Sequence, residues 1–467
     1  MYTCLCIYIP DTLTILHIRR LEMKGYLSIL CLVAGLSFAL SEDVLFGPNT
    51  WAVLVAGSSG WYNYRHQADV CHAYQALIAK GIQKEKIITL MYDDIANNEE
   101  NPKKGTIINR PKGPDVYHDV VIDYKGSAVN AKNFLNILEG NEAAMKNIGS
   151  GKVLKSSEND TVFVNFADHG GPGILCFPRT TLKANELIAT LNKMSKNKLF
   201  AKLVLYIEAC ESGSIFDGFI NHLENVFVST AAGADESSYG WYCEDEKYGT
   251  CFGDHFSVTW MERLDKVTAS ETLFDDYNAI RTAVNDSHVQ VYGDYKLGFL
   301  KTFSTDEVKN EEYQTEYSES NQVIKGVDSR DIPVYLARKA LENAKEPGSI
   351  MVKKEKLEKM IQARGFADNL MSKILEVYTE GDIDSQKYLE STRLKLNLEM
   401  FSCYDDLLNA FETSCFSIPE NTYILKHLYK FTNICLRDIT STKAVTAIQT
   451  ACNAEMGKIN TLGINIE

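Results

Sequence analysis

The segment KLVLYIEACESGS, residues 202–214, constrains the fold more than any other part of the chain. Its apolar and β-branched run ends in a cluster of Glu, Cys, Ser and Gly, which predicts a buried strand followed by a turn that carries Cys210. A second run, residues 161–167, ends in the same way just before His169. If the two strands are parallel neighbours, Cys210 and His169 meet at one edge of an open α/β sheet, where binding sites form.

A thiol beside an imidazole suggests covalent catalysis at this edge. A cysteine attacks a carbonyl only as the thiolate, and since its free pKa is about 8.5, a nearby histidine is the usual means of activating it. Acyl transfer also needs N–H donors for the developing oxyanion, and Gly170 and Cys210 can offer theirs. A lone cysteine or histidine is more often a structural residue. Two such residues at similar strand ends favour catalysis instead.

Other segments follow the pattern of an open α/β sheet. Residues 51–57 form an apolar run closed by glycine and serine, residues 64–80 have helical spacing, and residues 86–92 form the next predicted strand. Strand, helix and strand in this order predict a right-handed βαβ unit in a sheet covered by helices. The remaining predicted elements are a helix, a strand and a long loop, over residues 183–195, 225–232 and 97–126.

Three motifs carry a resemblance to a known family. EACESGS at 208–214, DHG at 168–170 and WYNYRHQAD at 61–69 resemble the legumain family, the asparaginyl endopeptidases among the caspase-like cysteine proteases. The resemblance runs from about Trp51 to the C-terminus. It implies an α/β fold with a caspase-like, mostly parallel sheet flanked by helices, followed by an all-α, disulfide-stapled C-terminal prodomain.

The resemblance also implies roles for the residues of the site. Cys210 would be the nucleophile and His169 the acid and base, Asn63 would orient the histidine, and the N–H groups of Gly170 and Cys210 would hold the oxyanion. The implied reaction is peptide cleavage after asparagine, and secondarily after aspartate at acid pH. Neither a metal nor an organic cofactor is implied.

A pocket that selects asparagine has to match a carboxamide, which offers one acceptor and two donor hydrogens. Arg65 can supply the donor, and Glu208 and Asp254 can supply the acceptors; these positions line the asparagine pocket in the family. From the sequence alone, an arginine in such a loop would be expected in solvent. By resemblance, three further residues belong to the substrate cleft: His66, Ser237 and Ser238.

Four parts are expected along the chain. Residues 1–41 form an extension and a signal peptide, because a basic start at Met23 precedes a short apolar run with a small-x-small end at Ala39. A type II membrane anchor is the alternative, and residues 1–22 resemble an upstream extension from a misassigned start codon. The other parts are the catalytic domain, a polar linker with the activation peptide, and the helical prodomain, over residues 42–302, 303–343 and 344–467.

The cysteines suit an oxidising compartment. An odd number remains after the signal region, so at least one thiol is free. Cys243 and Cys251 flank a short acidic loop and are expected to pair, whereas Cys71 and Cys176 are interpreted as buried thiols. Resemblance pairs Cys403 with Cys435 and Cys415 with Cys452. Two sequons, at Asn159 and Asn285, fit a secretory route that leads to a lysosome, an acidic vacuole or the gut lumen.

The net charge of −14 argues against nucleic acid or an anionic membrane as partner. The resemblance implies protein and peptide substrates, the chain's own prodomain as an intramolecular inhibitor, and cystatin-type inhibitors. It also places the activation cleavage after Asn343. We hypothesise that acid triggers activation, because protonation removes the attraction between cationic prodomain residues and an acidic cleft that includes Glu208 and Asp254.

Two alternatives to a hydrolase stay open at this point. The first is a transamidase or peptide ligase on the same scaffold. The second is a catalytically dead relative whose helical tail serves as a binding module. The presence of Cys210, His169 and Asn63 argues against the second alternative.

Overall fold

The computed structural model describes residues 6–9, 12–15, 44–220, 222–267, 271–303 and 324–462. The chain divides into two units, Met1–Asp43 and Val44–Glu467. In the first unit, strands β1 (Cys6–Ile9) and β2 (Thr12–Ile15) pair antiparallel. The predicted signal peptide lies outside the described residues, as does part of the predicted linker, residues 304–323. None of the described helices combines the length and the apolar character needed to cross a bilayer.

The second unit is built on a six-stranded sheet with the order β14-β11-β10-β6-β4-β5. All of its neighbouring strands run parallel except the antiparallel pair of β11 and β14. The strands of this unit are β3 (Val44–Phe46), β4 (Thr50–Ala56), β5 (Ile87–Leu90), β6 (Thr161–Ala167), β7 (Gly170–Gly171), β8 (Ile174–Cys176), β9 (Thr181–Lys183), β10 (Lys202–Glu208), β11 (Val226–Thr230), β12 (Tyr239–Trp241), β13 (Gly253–Asp254), β14 (Gln290–Gly293), β15 (Lys301–Phe303) and β16 (Val327–Asp328).

Helices cover both faces of this sheet, because its central strands carry apolar side chains on both sides. The helices before residue 303 are α1 (Tyr64–Ala79), α2 (Ala131–Leu138), α3 (Glu142–Met145), α4 (Ala184–Lys196), α5 (His255–Lys266) and α6 (Leu273–Ala283). Helices α1, α5 and α6 contribute to the core on one face, and α2 and α4 to the core on the other. The predicted mostly parallel α/β sheet is confirmed, with element ends shifted by one or two residues.

The C-terminal part is all helical and shares a core with the second face of the sheet. Its helices are α7 (Ile332–Glu342), α8 (Pro347–Tyr378), α9 (Ile383–Ser391), α10 (Phe401–Ser414), α11 (Tyr429–Arg437) and α12 (Thr442–Leu462). Disulfides join Cys403 to Cys435 and Cys415 to Cys452, so both bridges connect α10 or its end to a later helix. We call residues 347–462 the cap.

The cap covers the loop that follows β6. The Tyr404 hydroxyl donates to the Pro172 carbonyl at 2.7 Å. Gly173 has a φ of +66°, and a Cβ on it would lie 2.3 Å from the Leu396 side chain, so a larger residue would disturb this contact. The cap therefore packs directly on the edge of the sheet where strands β4, β6 and β10 end.

The structure differs from the prediction of a polar linker within residues 303–343. Residues 324–331 pack against the catalytic part, where β16 pairs antiparallel with β12. The segment has no apolar periodicity because its order comes from backbone pairing with another strand. We call residues 327–331 the plug.

Candidate active site

The ends of β6 and β10 lie side by side at one edge of the sheet. Glu208 is in register with Ala167, and the N–H of Asp168 donates to the Glu208 carbonyl at 3.0 Å. The turns that follow the two strands touch, because a Cβ on Gly170 would lie only 2.3 Å from the Cys210 carbonyl oxygen. The parallel pairing expected from the sequence therefore brings the histidine turn and the cysteine turn together.

His169 is held in one tautomer by Asn63. The Asn63 amide donates from Nδ2 to the Ser59 carbonyl at 3.0 Å, which turns its Oδ1 toward the imidazole. Because Oδ1 only accepts, His169 Nε2, 2.8 Å away, must carry the proton and donate it. Burial, reinforced by Arg65 and Arg330, holds the pKa of His169 well below its usual range. The ring is therefore a neutral base with its lone pair on Nδ1.

Cys210 lies against the loop that begins β12. The Ser238 N–H donates to Cys210 Sγ at 3.3 Å, and the Ser238 hydroxyl lies 3.8 Å from the same sulfur. Burial raises the pKa of the thiol, and the Arg330 guanidinium offsets part of that rise. In the capped chain the sulfur is therefore a buried thiol that accepts a hydrogen bond from the Ser238 backbone.

Three buried charged residues converge one turn away from the sulfur. Arg65 Nε donates to Asp254 Oδ1 at 2.9 Å, and both side chains are 1% exposed. Glu208 Oε2 accepts from the Ser257 N–H at 2.9 Å and from its hydroxyl at 3.1 Å. Among the described residues, three atoms of this cluster lack a hydrogen-bond partner: Arg65 Nη2, Glu208 Oε1 and Asp254 Oδ2. One donor and two acceptors are thus buried and available to a ligand.

The carboxyl groups in this cluster are unusually easy to protonate. Burial, followed by the charge of Asp254, raises the pKa of Glu208 well above its usual range. Burial also raises the pKa of Asp254, although the neighbouring Arg65 opposes the change. Both carboxyl groups therefore take up a proton at a higher pH than an ordinary carboxylate does.

A buried polar chain that the sequence did not predict supports Asp254 from behind. Asp69 accepts from the Asp254 N–H at 3.1 Å and from Asn109 Nδ2 at 2.7 Å. Asn109 Oδ1 lies 2.7 Å from His72 Nδ1, and His72 Nε2 lies 2.9 Å from Asp265. A signal existed in the sequence, because positions 65, 69 and 72 are polar and have the spacing of one helix face.

The other cleft residues expected by resemblance lie beside this cluster. His66 Nδ1 is 2.6 Å from the Ser58 hydroxyl, and its Nε2 is 3.5 Å from Asp254 Oδ2. Ser238 contacts the sulfur as described, and the Ser237 hydroxyl accepts from Arg330 Nη1 at 3.4 Å. The structure thus gathers every predicted catalytic and cleft residue at one edge of the sheet.

One group of side chains in the described part of the chain has the spacing of metal ligands. Ligand atoms of His66, Asp168 and His169 lie within 4.8 Å of one another. The charge of Arg65 helps to lower the pKa of both histidines, and the same charge opposes a bound cation. The donor set therefore fits a resident metal ion poorly.

The plug occupies the cleft and places an arginine beside Cys210. The Ser329 N–H donates to the Ser238 carbonyl at 3.0 Å, which continues the pairing of β16 with β12. The next residue, Arg330, donates from Nη2 to Glu211 Oε2 at 2.8 Å and to the Gly170 carbonyl at 3.1 Å. Sequence reasoning missed the pair of Arg330 and Glu211, which are 119 residues apart in a segment without periodicity.

Cationic residues of the cap support the plug and the acidic edge around it. Arg364 donates to Asp331 at 2.7 Å and to the Arg330 carbonyl. Arg393 lies 3.5 Å from Glu211 Oε1, and Lys395 lies 2.6 Å from Asp217. The cap therefore contacts the carboxylate next to Cys210 both directly and through the plug.

The remaining predicted residues lie away from this cleft. Cys243 and Cys251 form a third disulfide, while Cys71 and Cys176 are buried free thiols. Asn159 and Asn285 are exposed, and so is Asn343, which follows the last residue of α7.

Two family models and several known proteins match this chain over most of its length. The model of the Peptidase C13 family matches residues 50–305, and that of the legumain prodomain matches residues 355–452. Human legumain is 39% identical over 412 residues, which cover 87% of this chain and 93% of that protein. Hemoglobinase of Schistosoma japonicum is 38% identical, with 88% and 95% covered. Vacuolar-processing enzyme delta-isozyme of Arabidopsis thaliana is 38% identical, with 88% and 92% covered.

Among solved structures, caspase-1 from Spodoptera frugiperda gives a TM-score of 0.34 at 10% identity, covering 54% of this chain and 88% of that chain. The family assignment does not depend on this weak likeness. It follows from the two family models and from curated relatives such as human legumain, 93% of whose length is matched by this chain. The chain therefore belongs to the legumain family, peptidase family C13, and is a cysteine endopeptidase with a C-terminal prodomain.

Proposed function

We propose that this protein cleaves peptide bonds after asparagine, and secondarily after aspartate at acid pH, and that it is made as a zymogen activated by acid. The observation that carries the proposal is the buried cluster of Arg65, Glu208 and Asp254 beside Cys210. Its unpartnered donor and two unpartnered acceptors are the complement of a carboxamide. A protonated aspartate presents a similar pattern, which accounts for the secondary activity at acid pH.

The proposed reaction begins with the Cys210 thiol. His169 Nδ1 takes the thiol proton while the sulfur attacks the carbonyl carbon after asparagine, and the N–H groups of Gly170 and Cys210 stabilise the oxyanion. The imidazolium then gives its proton to the leaving amine as the C–N bond breaks, which leaves an acyl-enzyme. Water, deprotonated by His169, then attacks the thioester carbonyl, the C–S bond breaks, and the imidazolium returns the proton to the Cys210 sulfur. Asn63 keeps the ring in the required tautomer throughout.

The plug inhibits the enzyme by taking the place of a substrate strand. Peptides that bind proteases in extended form add a strand to an exposed sheet edge, and β16 already fills the edge of β12. Ser329 is too short to reach the carboxamide cluster, so the plug blocks the cleft without filling the pocket. Activation by cleavage after the exposed Asn343 then falls to another copy, since the chain's own cleft is occupied.

Acid is proposed to loosen the cap through Glu211. Burial raises the pKa of this carboxyl above its usual range, and Arg330 of the plug and Arg393 of the cap oppose that rise while the plug and the cap are bound. The cap therefore binds the ionised carboxylate more tightly than the protonated one, and the attraction is lost as the pH falls through the pKa of Glu211. Because this pKa is raised, the loss begins at a higher pH than for an ordinary glutamate.

The structure changes which carboxylates the acid hypothesis involves. The sequence pointed to Glu208 and Asp254 as partners of the cap, and this expectation is wrong for the described residues. Asp254 pairs with Arg65 of the catalytic part, and Glu208 accepts from Ser257. The cationic groups of the plug and cap meet Glu211 and Asp217 instead.

We also propose a secretory route, with residues 23–39 as signal peptide and glycans on Asn159 and Asn285. The three disulfides support an oxidising compartment. The vacuolar name of the Arabidopsis relative supports an acidic destination, a vacuole, a lysosome or a gut lumen. The proposed partners are protein substrates, the chain's own prodomain and cystatin-type inhibitors. We expect neither nucleic acid nor a membrane as partner.

A set of reporter peptides that differ only at the residue before the cleaved bond tests the proposal. The full chain, activated in acid, should cleave the asparagine peptide about 10⁴-fold better than its leucine analogue, because leucine leaves three buried polar atoms unpaired. The aspartate peptide should approach the asparagine peptide only as the pH falls. Equal cleavage of the asparagine and leucine peptides would contradict the proposal. An added amine that diverts most of the product would favour the ligase alternative.

A further inference from the structure

We propose that Glu211 forms a subsite for a cationic residue, arginine or lysine, immediately after the asparagine at which a substrate is cut. The inference rests on the cleavage function proposed above and adds a preference on the other side of the cleaved bond. Its basis is the site that binds Arg330 of the plug, which is formed by the Glu211 carboxylate and the Gly170 carbonyl and is called the seat below. A substrate side chain would bind at the same site.

The register of the plug defines which substrate residue would reach Glu211. The plug runs antiparallel to β12, with Val327 opposite Gly240 and Asp328 opposite Tyr239. Ser329 then donates to the carbonyl of Ser238, the residue that also contacts Cys210 Sγ. A substrate strand on the same edge would place the residue attacked by the sulfur at the position of Ser329. The residue after the cleaved bond would then take the position of Arg330.

The seat of Arg330 is built for a cation. The side chain of Glu211 is 1% exposed, and its Oε2 accepts from Arg330 Nη2 at 2.8 Å. The carbonyl of Gly170 accepts from the same nitrogen at 3.1 Å, so the seat offers two acceptors. Arg393 of the cap is the second cation near Glu211, at 3.5 Å.

Release of the plug and cap leaves this seat without either arginine. Glu211 lines a cavity whose other acidic residues are Asp217, Asp235 and Glu236, and the cap contributes the cations Arg393 and Lys395 to its lining. A buried carboxylate without a counter-ion is costly, so the activated enzyme would gain by binding a positive substrate group there. A carboxylate in the same position of a substrate would be repelled.

The alternative role of Glu211 is only to hold the plug in the zymogen. In that case kcat/KM of the activated enzyme would not depend on the residue after the cleaved bond. If the seat is a subsite, the enzyme prefers arginine and lysine there, and the preference depends on Glu211. Cleavage assays on protein activated from the full chain therefore distinguish the two interpretations.

The experiment uses four reporter peptides that share an asparagine and differ in the next residue: arginine, lysine, alanine or glutamate. The full chain is activated in acid and assayed at about pH 5 and about pH 7, because the preference requires ionised Glu211, whose pKa burial raises. We expect kcat/KM for the arginine and lysine peptides to exceed that for alanine about tenfold, equivalent to about 1.4 kcal/mol. The glutamate peptide should be the poorest of the four.

Variants assign the preference to one residue. In Glu211→Gln the arginine-to-alanine ratio should fall to about one, whereas Glu211→Asp should keep part of it. The matched control is Glu224→Gln, which removes an exposed carboxylate that does not line this cavity, and it should keep the wild-type ratio. If neither Glu211 variant is recovered, the wild-type series still decides.

Equal rates for the four peptides in the wild type, or an unchanged ratio in Glu211→Gln, would overturn the subsite. If none of the four peptides were cut, the proposed asparagine specificity would fail instead. The two failures are therefore distinguishable.

Discussion

The proposed catalytic site and the cap interface both depend on a buried arginine–carboxylate pair, but the two pairs are assembled differently. Arg65 and Asp254 both belong to the catalytic part, with α1 carrying one and β13 the other. Arg330 and Glu211 join the plug to the catalytic part. Removal of the plug therefore breaks the second pair and leaves the first intact. A zymogen arranged in this way can lose its inhibitor without dismantling its site.

The surroundings of the two pairs differ in the same sense. Asp69, Asn109 and His72 extend the first pair into the interior, where pairing is insulated from solvent. The second pair is supported by Arg393, which is 43% exposed. Glu211 of this pair lines a cavity through which protons from solvent can reach it. Buried networks specify geometry, whereas a pair close to solvent responds to pH.

Loss of the nucleophile is the largest expected effect. Cys210→Ser should lower kcat/KM for the asparagine peptide by about 10⁴- to 10⁶-fold, because an alcohol is not activated by this neutral histidine as a thiol is. Circular dichroism and the urea midpoint should match the wild type, since serine is nearly isosteric. Retained turnover would show that Cys210 is not the nucleophile, and the comparison of the two pairs would no longer concern the catalytic site.

The carboxamide cluster gives the next largest effect. Glu208→Gln keeps the shape but replaces an acceptor, so kcat/KM for the asparagine peptide should fall about 10- to 100-fold, as expected for the loss of a charged hydrogen bond. Glu224→Gln removes an exposed carboxylate and serves as the control, with no change expected. Equal behaviour of the two variants would show that Glu208 does not contact the substrate.

Binding of the plug should be weakened by a substitution at the buried Arg330 and hardly changed by one at the exposed Lys395. In an Asn343→Gln background that blocks the activation cleavage, Arg330→Ala should weaken plug binding by about 2–5 kcal/mol, because Glu211 loses its closest partner. Lys395→Ala, at a side chain that is 78% exposed, should change it by about 0–1 kcal/mol.

The measurement for the plug variants is turnover of the asparagine peptide by the uncut chain across a pH series. The wild type should gain activity as the pH falls through the pKa of Glu211, and Arg330→Ala should be active at higher pH. A pH profile that Arg330→Ala does not shift would separate acid activation from this ion pair.

The cap disulfides should affect stability but not catalysis. Replacing Cys415 and Cys452 by serine should lower the free energy of unfolding of the full chain by about 2–4 kcal/mol. The activated enzyme should keep its kcat/KM, since both cysteines lie in the cap. Replacing Cys243 and Cys251, which flank the loop between β12 and β13, is the contrasting variant and should lower activity as well. A loss of activity from the cap pair would contradict the separation of the two regions.

The smallest effect concerns the polar chain behind Asp254. The pKa of His72 is raised because interactions with Asp265 and Asn109 outweigh burial. A raised folded pKa stabilises the protein below the unfolded value of about 6.5, and this contribution is lost as the pH rises through the folded value. His72→Gln should lower the free energy of unfolding by about 1 kcal/mol in acid and less at higher pH. A loss independent of pH, measured by urea denaturation, would show that the imidazole stays neutral.

The sequence predicted that the ends of β6 and β10 lie side by side because the signal is local. Cys210 and His169 each follow an apolar run of seven or so residues, and parallel neighbours bring such ends together. The roles of Arg65, Glu208 and Asp254 came from the family resemblance, since an arginine at a helix start would otherwise be expected in solvent. The arginine is in fact among the most buried side chains of the protein.

The sequence could not predict contacts that depend on distant partners. Arg330 lies in a polar segment, and nothing near it in the sequence indicates that Glu211 will be its partner. Asp69 and His72 share one helix face with Arg65, but nothing in the sequence shows that Asn109, from the long loop, contacts both of them. Burial of a polar residue is decided by the whole fold and not by its neighbours in the chain.

The position of the plug in the chain has a consequence for maturation. Residues 327–331 precede Asn343, so a cut after Asn343 detaches the helical cap but leaves the plug tethered to the catalytic part. A tethered segment has a high effective concentration at its own site and keeps rebinding. Arg364 and Arg393 depart with the cap, which removes two of the clamps on the tether. Full activity then requires either that this weakened tether gives way to substrate or that a second cut trims it off.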